Sequence, residues 1–235
     1  MSAPVPRLLA VNVVSRLRDD PAARPNVADH RRLQTAIDKR PVNGPVTVRR
    51  LGVEGDRIGD SRFHGGVDQA VYAYAIEDTD WWQREVGTEL SFRLGPGSFG
   101  ENLTLRGVDV TGSIIGERWR IGSAVLQVSS PRSPCATFAA FWGVQRLIKR
   151  FVRAGRPGAY LRVLTEGSVR AGDQVTVLDR PAHGVTLAES FRALNGDLDA
   201  AERVLLAPEF PAGARAKLSH RVQQARERTV TERLF

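Results

Sequence analysis

The chain has 235 residues, 42% of them hydrophobic, which is enough for a sizeable core in one large domain or in one domain with a small appendage. A formal net charge of +8 favours acidic partners, whether a nucleic acid or a small phosphorylated ligand. The single cysteine excludes an intrachain disulfide; no run approaches the roughly 18 apolar residues of a membrane span, and the first residues lack a secretory signal, so the cytoplasm is the expected location.

In chain order, residues 7–14 read as a first strand, and residues 16–38 as a polar, proline-bearing stretch that is mostly loop. Residues 45–53 alternate as a second strand and residues 69–76 give a third. Asp78 or Thr79 then caps a short helix carrying Trp81, Trp82 and Val86, stopped at Gly87. A hairpin follows, residues 117–121 and 124–128 joined across Gly122-Ser123. Two more strands are expected at residues 159–165 and 174–178, with Glu166-Gly167-Ser168 and Ala171-Gly172-Asp173 as turns. Ahead of these two strands, after Cys135, Phe138, Phe141, Trp142, Leu147, Ile148, Phe151 and Val152 fall on one helical face, and Arg146, Lys149, Arg150 and Arg153 on the other. Beyond Pro181 three helices are predicted, at residues 187–194, 199–206 and 212–228. Many strands with glycine turns predict a barrel or closed sheet, here mainly β with α, followed by a small helical appendage.

Three strings carry candidate chemistry. Cys135 closes Val128-Ser129-Ser130-Pro131-Arg132-Ser133-Pro134, where the two prolines are expected to end the strand ladder and hold the thiol rigidly at the strand exit. A cation such as Arg132 favours the thiolate over the reference pKa of about 8.5, which suits a soft-metal ligand or a nucleophile; a small buried hydrophobe is the plainer alternative. The second string runs from Gly52 through Asp56, Arg57 and Asp60 to His64-Gly65-Gly66. Its glycines permit close backbone approach to an anion and its histidine can move a proton, though a tight surface turn uses the same residues. The third, Gly95 to Leu103, places Glu101 and Asn102 in a glycine-rich loop. Phosphate-loop, nucleophile-elbow and paired-cysteine zinc signatures are missing, and no nucleic-acid recognition motif accompanies the basic charge.

Taken in order, Lys39-Arg40-Pro41-Val42, LGVEGD at 51–56, HGGVDQAVYAY at 64–74, FGENLT at 99–104, Ile115-Gly116 and QVSSPRSPC ending at Cys135 resemble MOSC domain proteins of the YiiM type. The likeness spans about residues 5–180, and the helical tail resembles the three-helix domain that follows in this subfamily. Ser130 replaces a common glutamine and Ala36 a common glycine.

The resemblance implies an α+β chain with a MOSC β-barrel domain at 1–182 and a three-helix domain at 183–235. It implies a molybdenum cofactor of the molybdopterin type, with Cys135 as thiolate ligand to the metal. Arg57, His64, Gly65, Gly66, Asn102, Arg132 and Ser133 are then expected at the cofactor, and His64 and Glu101 join Cys135 as catalytic candidates. The activity implied is reduction of small N-hydroxylated compounds such as hydroxylaminopurines and amidoximes, in detoxification. No flavin or iron-sulfur motif is present, so a separate electron-donor protein is expected, and neither a membrane nor a nucleic acid partner. A non-catalytic carrier of the cofactor or of sulfur would use the same cysteine.

Overall fold

In the computed structural model the described residues are 5–23, 34–59 and 64–232. Apolar runs become strands as expected in β1 (Arg7–Val14), β7 (Val71–Ala75), β9 (Arg118–Ile121), β10 (Ala124–Pro131), β11 (Ala159–Thr165) and β13 (Val175–Asp179). Two four-residue strands carry no such signal, β4 (Lys39–Val42) and β8 (Leu103–Arg106). Together these eight form one sheet in the order β13-β9-β10-β11-β7-β8-β1-β4, antiparallel except for β7 against β8. The sheet curls. The Arg7–Gln174 bridge and the Leu8 N–H donated to Asp173 O at 2.8 Å bring the start of β1 against the approach to β13, although no continuous ladder joins those strands among the described residues.

Small pieces depart from expectation. Residues 45–53 divide into β5 (Val46–Arg49) and β6 (Gly52–Val53), and the expected turn at Gly167 is β12 (Gly167–Val169), paired with β5. The stretch expected as loop contains β2 (Arg18–Asp19) paired with β3 (Gln34–Thr35). Helix α1 (Ile76–Val86) starts ahead of Asp78, without a side-chain cap. Asp78 is taken instead by Arg156, and the Thr79 hydroxyl donates to Ala75 O.

The proline at the end of β10 does not stop the ladder. Pro131 pairs with Ala159, because a register shift between Val128 and Ser130 bulges the strand, and a bulge tolerates a missing N–H. The single helix expected after Cys135 is two, α2 (Ala136–Trp142) and α3 (Leu147–Ala154). Gly143 in the left-handed region ends the first, and the redirected chain leaves Ile148 on the surface at 39% exposure. Of the expected basic face, Arg150 bonds Glu89 Oε1 at 2.7 Å.

Two apolar clusters hold these elements. The larger joins Leu8, Leu105, Trp119 and Leu126 of the sheet to Leu187, Val204 and Leu218 of the C-terminal helices, α4 (Leu187–Leu194), α5 (Leu198–Val204) and α6 (Ala212–Glu232), and to Phe210 in the turn before α6. Thr186 caps α4 in a reciprocal box with Glu189, and Leu187 N–H donates to Ser113 O at 2.8 Å, so the tail is bonded to the sheet as well as packed on it. Phe210→Ala is expected to cost about 3–5 kcal/mol of unfolding free energy, the usual toll of emptying a buried phenyl site. Denaturant titration checks it, and a loss under about 1 kcal/mol would mean the tail contributes little. None of the helices among the described residues is long and apolar enough to cross a membrane.

The second cluster is aromatic: Tyr72, Tyr74, Trp82, Phe99, Phe138, Trp142 and Phe151. Tyr74 stacks on Phe99, and Phe138 and Trp142 pack on Phe99 from α2. This packing fixes where α2 begins, and therefore where Cys135 sits.

Candidate functional site

Beyond Pro131 the backbone passes under a cleft of about 320 Å³ whose wall is built by β3, β6, β7 and β11. Arg132 is buried there. Its guanidinium lies 5.1 Å from the Tyr72 ring and 4.8 Å from the Phe138 ring, and donates to Phe99 O. Burial opposes its charge, yet the Tyr72 and Tyr160 oxygens and the Cys135 sulfur hold it more firmly protonated than an ordinary arginine. Three residues on, Cys135 is the N-cap of α2, and its Sγ accepts the Phe138 N–H at 3.4 Å. The sulfur is half-buried and lines the cleft with the guanidinium behind it.

Register brings the rest together. Tyr160 of β11 pairs with Ser130 on one side and Tyr72 on the other, so its ring stands 5.2 Å from that of Tyr72. Burial pushes both phenols up, which keeps them protonated donors at neutral pH. The Tyr72 hydroxyl donates to Pro157 O. Opposite, Lys39 Nζ meets Asp56 Oδ2 at 2.5 Å. Burial draws the ammonium below its ordinary range and Asp56 resists that. Asp56 also accepts from Val14 N and Asn102 Nδ2, while Asn102 Oδ1 accepts from Tyr72 N, so the two residues stitch β1, β6 and β7 to the cleft wall.

Of the sequence-predicted residues, Arg57, His64, Gly65, Asn102, Arg132 and Cys135 line this one cleft. Gly66, Glu101 and Ser133 do not. Glu101 lies fully buried behind the wall, where Gly97 N, Phe99 N and Thr104 Oγ1 donate to its carboxylate; Ser133 is exposed; and Asp60 is outside the described residues. Lys39, Tyr72, Tyr160 and Gln69 also line the cleft and carried no site signal of their own, although Lys39, Tyr72 and Gln69 fall in the family-like strings, and Asp56 of the second candidate string lines it too. Gln69 is notable because its Oε1 is buried without a hydrogen-bond partner.

Gly66 adopts φ 79°, ψ 178°, a region open in practice to glycine alone. Gly66→Val should therefore cost about 1–3 kcal/mol and displace the Gly65 rim. A thermal melt and a crystal structure of the variant check this, and unchanged stability would mark the turn as adaptable. Gly65 (φ 88°) shares the positive φ, and an added Cβ there would also run into the outer methyl of exposed Ile58, whereas at Gly66 it would meet open space.

Among the described residues no three His, Cys, Asp or Glu side chains gather as a metal site. What the cleft offers a metal is a single soft sulfur donor, suited to an ion that arrives with other ligands of its own.

The MOSC domain model matches residues 60–176. "Uncharacterized protein YflK" of Bacillus subtilis is 37% identical over 180 residues, 75% of this chain and 80% of that protein. A protein named "Reductase" from Gibberella moniliformis is 35% identical over 150 residues, 63% of this chain but 26% of that longer protein. The crystal structure of YiiM from Geobacillus stearothermophilus superposes with a TM-score of 0.73 at 26% identity, covering 92% of this chain and 99% of that one.

Proposed function

The chain belongs to the MOSC domain family, in its YiiM-type branch, and from that premise we propose that it is a molybdenum-cofactor-dependent reductase of small N-hydroxylated compounds. The observation that carries this reading is the half-buried Cys135 sulfur on the cleft surface, backed by a permanently charged Arg132, where no three His, Cys, Asp or Glu side chains gather among the described residues.

The residues fit such a group in two respects. A lone thiolate completes the coordination of a metal already held by an organic dithiolate, and the orphaned Gln69 Oε1 is an acceptor awaiting a donor of the kind a pterin edge presents. When bound, the group supplies the two-electron chemistry that removes oxygen from an N-hydroxyl. Cys135 would give the sulfur ligand, and the buried positive charge of Arg132 faces it. Tyr160, held protonated, donates a hydrogen bond into the cleft, and His64 at the exposed rim is placed to exchange protons with solvent. Glu101 acts through position: it fixes the loop whose Gly100 and Asn102 form part of the wall. Electrons come from a separate protein. We read residues 1–182 as the cofactor-bearing barrel domain and 183–235 as a three-helix domain that braces it.

The test is metal and pterin analysis of the full chain expressed in a cofactor-replete host, followed by reduction of 6-hydroxylaminopurine with a supplied electron donor. Stoichiometric molybdenum with turnover supports the reading. Cofactor without turnover on any N-hydroxylated substrate would favour a carrier, and absence of both metal and pterin overturns the proposal.

A further inference from the structure

A second cleft, of about 640 Å³, opens on the other side of β4 from the first, and among the described residues the two share Thr35 and Lys39 alone. Lys39 and Arg40 are successive residues of a strand, so their side chains leave on opposite faces. Lys39 turns to Asp56 of the first cleft, whereas Arg40 turns into the second.

There it joins Arg16 and Arg18 around one carboxylate. Arg40 Nε lies 3.1 Å from Asp38 Oδ1, Arg18 Nε is 2.7 Å from Oδ2, and Arg16 Nε is 4.0 Å from the same oxygen. Asp38 is buried, with its side chain 4% exposed, while those of Arg16 and Arg40 are 67% and 66% exposed. One carboxylate cannot use the donors of three guanidiniums. Even with Asp19, which also lines this cleft, three permanent cations face two acids among the described residues, and the Arg16 and Arg40 side chains stay two-thirds exposed. The opposite wall carries two phenyl rings tilted 51° to each other. Phe92 and Phe141 pack with ring centroids 6.0 Å apart, and the Arg18 guanidinium lies 5.9 Å from the Phe141 ring, so charge and aromatic surface adjoin.

We infer that this second cleft binds a phosphorylated planar aromatic, the chemistry of a purine mononucleotide. A phosphomonoester carries about −1.5 to −2 charge at neutral pH and three acceptor oxygens, which match exposed guanidinium forks, and a planar base finds phenyl and guanidinium faces to stack on. The volume lies within the roughly 300–1,000 Å³ of small-molecule sites. The inference is independent of what the first cleft holds.

The experiment is calorimetric titration of the purified full chain at low salt with AMP, adenosine and inorganic phosphate. AMP is expected to bind, with adenosine and phosphate each at least about 10-fold weaker, because each lacks one of the two features the cleft recognises. The double variant Arg16→Gln/Arg40→Gln should weaken AMP about 10-fold or more without moving the melting temperature, since both side chains are largely exposed. Arg57→Glu, which alters only the first cleft, should leave AMP affinity unchanged. No AMP binding, an unaffected double variant, an equal loss in Arg57→Glu, or phosphate binding as tightly as AMP would each overturn the assignment. Should the double variant melt early, Phe92→Leu replaces it, with weaker AMP and unaltered phosphate binding as the expected result.

Discussion

Cys135→Ser is expected to remove molybdenum and all measurable N-hydroxyl reductase activity, a loss of about 100-fold or more, while leaving the fold intact. The two halves of that expectation have separate physical causes. A neutral hydroxyl is a poor substitute for a thiolate toward a soft metal, so the proposed ligand is lost. As an N-cap, however, serine is better than cysteine: a hydroxyl oxygen accepts the Phe138 N–H that Sγ now reaches at 3.4 Å, and α2 should hold or gain a few tenths of a kcal/mol. Metal analysis beside a thermal melt distinguishes the outcomes. Full metal content would exclude Cys135 as the ligand, and a large drop in melting temperature would assign it a structural role.

Glu101→Ala should lower the unfolding free energy by about 3–5 kcal/mol. The substitution leaves three buried donors, Gly97 N, Phe99 N and Thr104 Oγ1, with nothing to bond, and frees the loop that Phe99 anchors in the aromatic cluster. A loss below about 1 kcal/mol in denaturant titration would mean the loop is held by other means. Burial pushes the Glu101 carboxyl above its ordinary 4.5 against the pull of those three donors. The folded state therefore keeps a proton that the unfolded chain has released. Stability from this group falls as pH rises from 4.5 through the raised value, and is constant below. Glu101→Gln cannot titrate, so this part of the pH slope should vanish in it. Equal slopes in both proteins would show that another group governs the window.

Where local pattern decides structure, the sequence was readable. The hairpin of β9 and β10 follows from apolar runs around Gly122-Ser123, and the three C-terminal helices from their caps and periodicity. β4 and β8 were not readable, because each is four residues long and becomes a strand by long-range pairing, β4 with β1 and β8 with both β1 and β7. The ladder through Pro131 depended on a bulge that no local rule announces, and the break at Gly143 on a glycine that an unbroken apolar stripe concealed. Six predicted residues line one cleft because the strings that carry them sit at strand ends facing it. Glu101 and Asn102 show the limit. They are adjacent in sequence, yet one is sealed behind the wall and the other is part of it, a distinction set by which face of the loop meets β1 and β7. The contribution of Tyr160 was equally hidden, since it rests on a cross-strand register over sixty residues from the glycine strings.

The sharing of one apolar cluster between the sheet and the last three helices also fixes an order of events at the ribosome. All the cleft-lining residues, from Asp20 to Tyr160, are synthesised before Leu187, Phe210 and Leu218, which cover the flank of the sheet that carries Trp119 and Leu126. Until those side chains emerge, the nascent sheet presents open hydrocarbon to its surroundings, an aggregation hazard that a chaperone can shield. That flank of the sheet is therefore covered only near the end of translation.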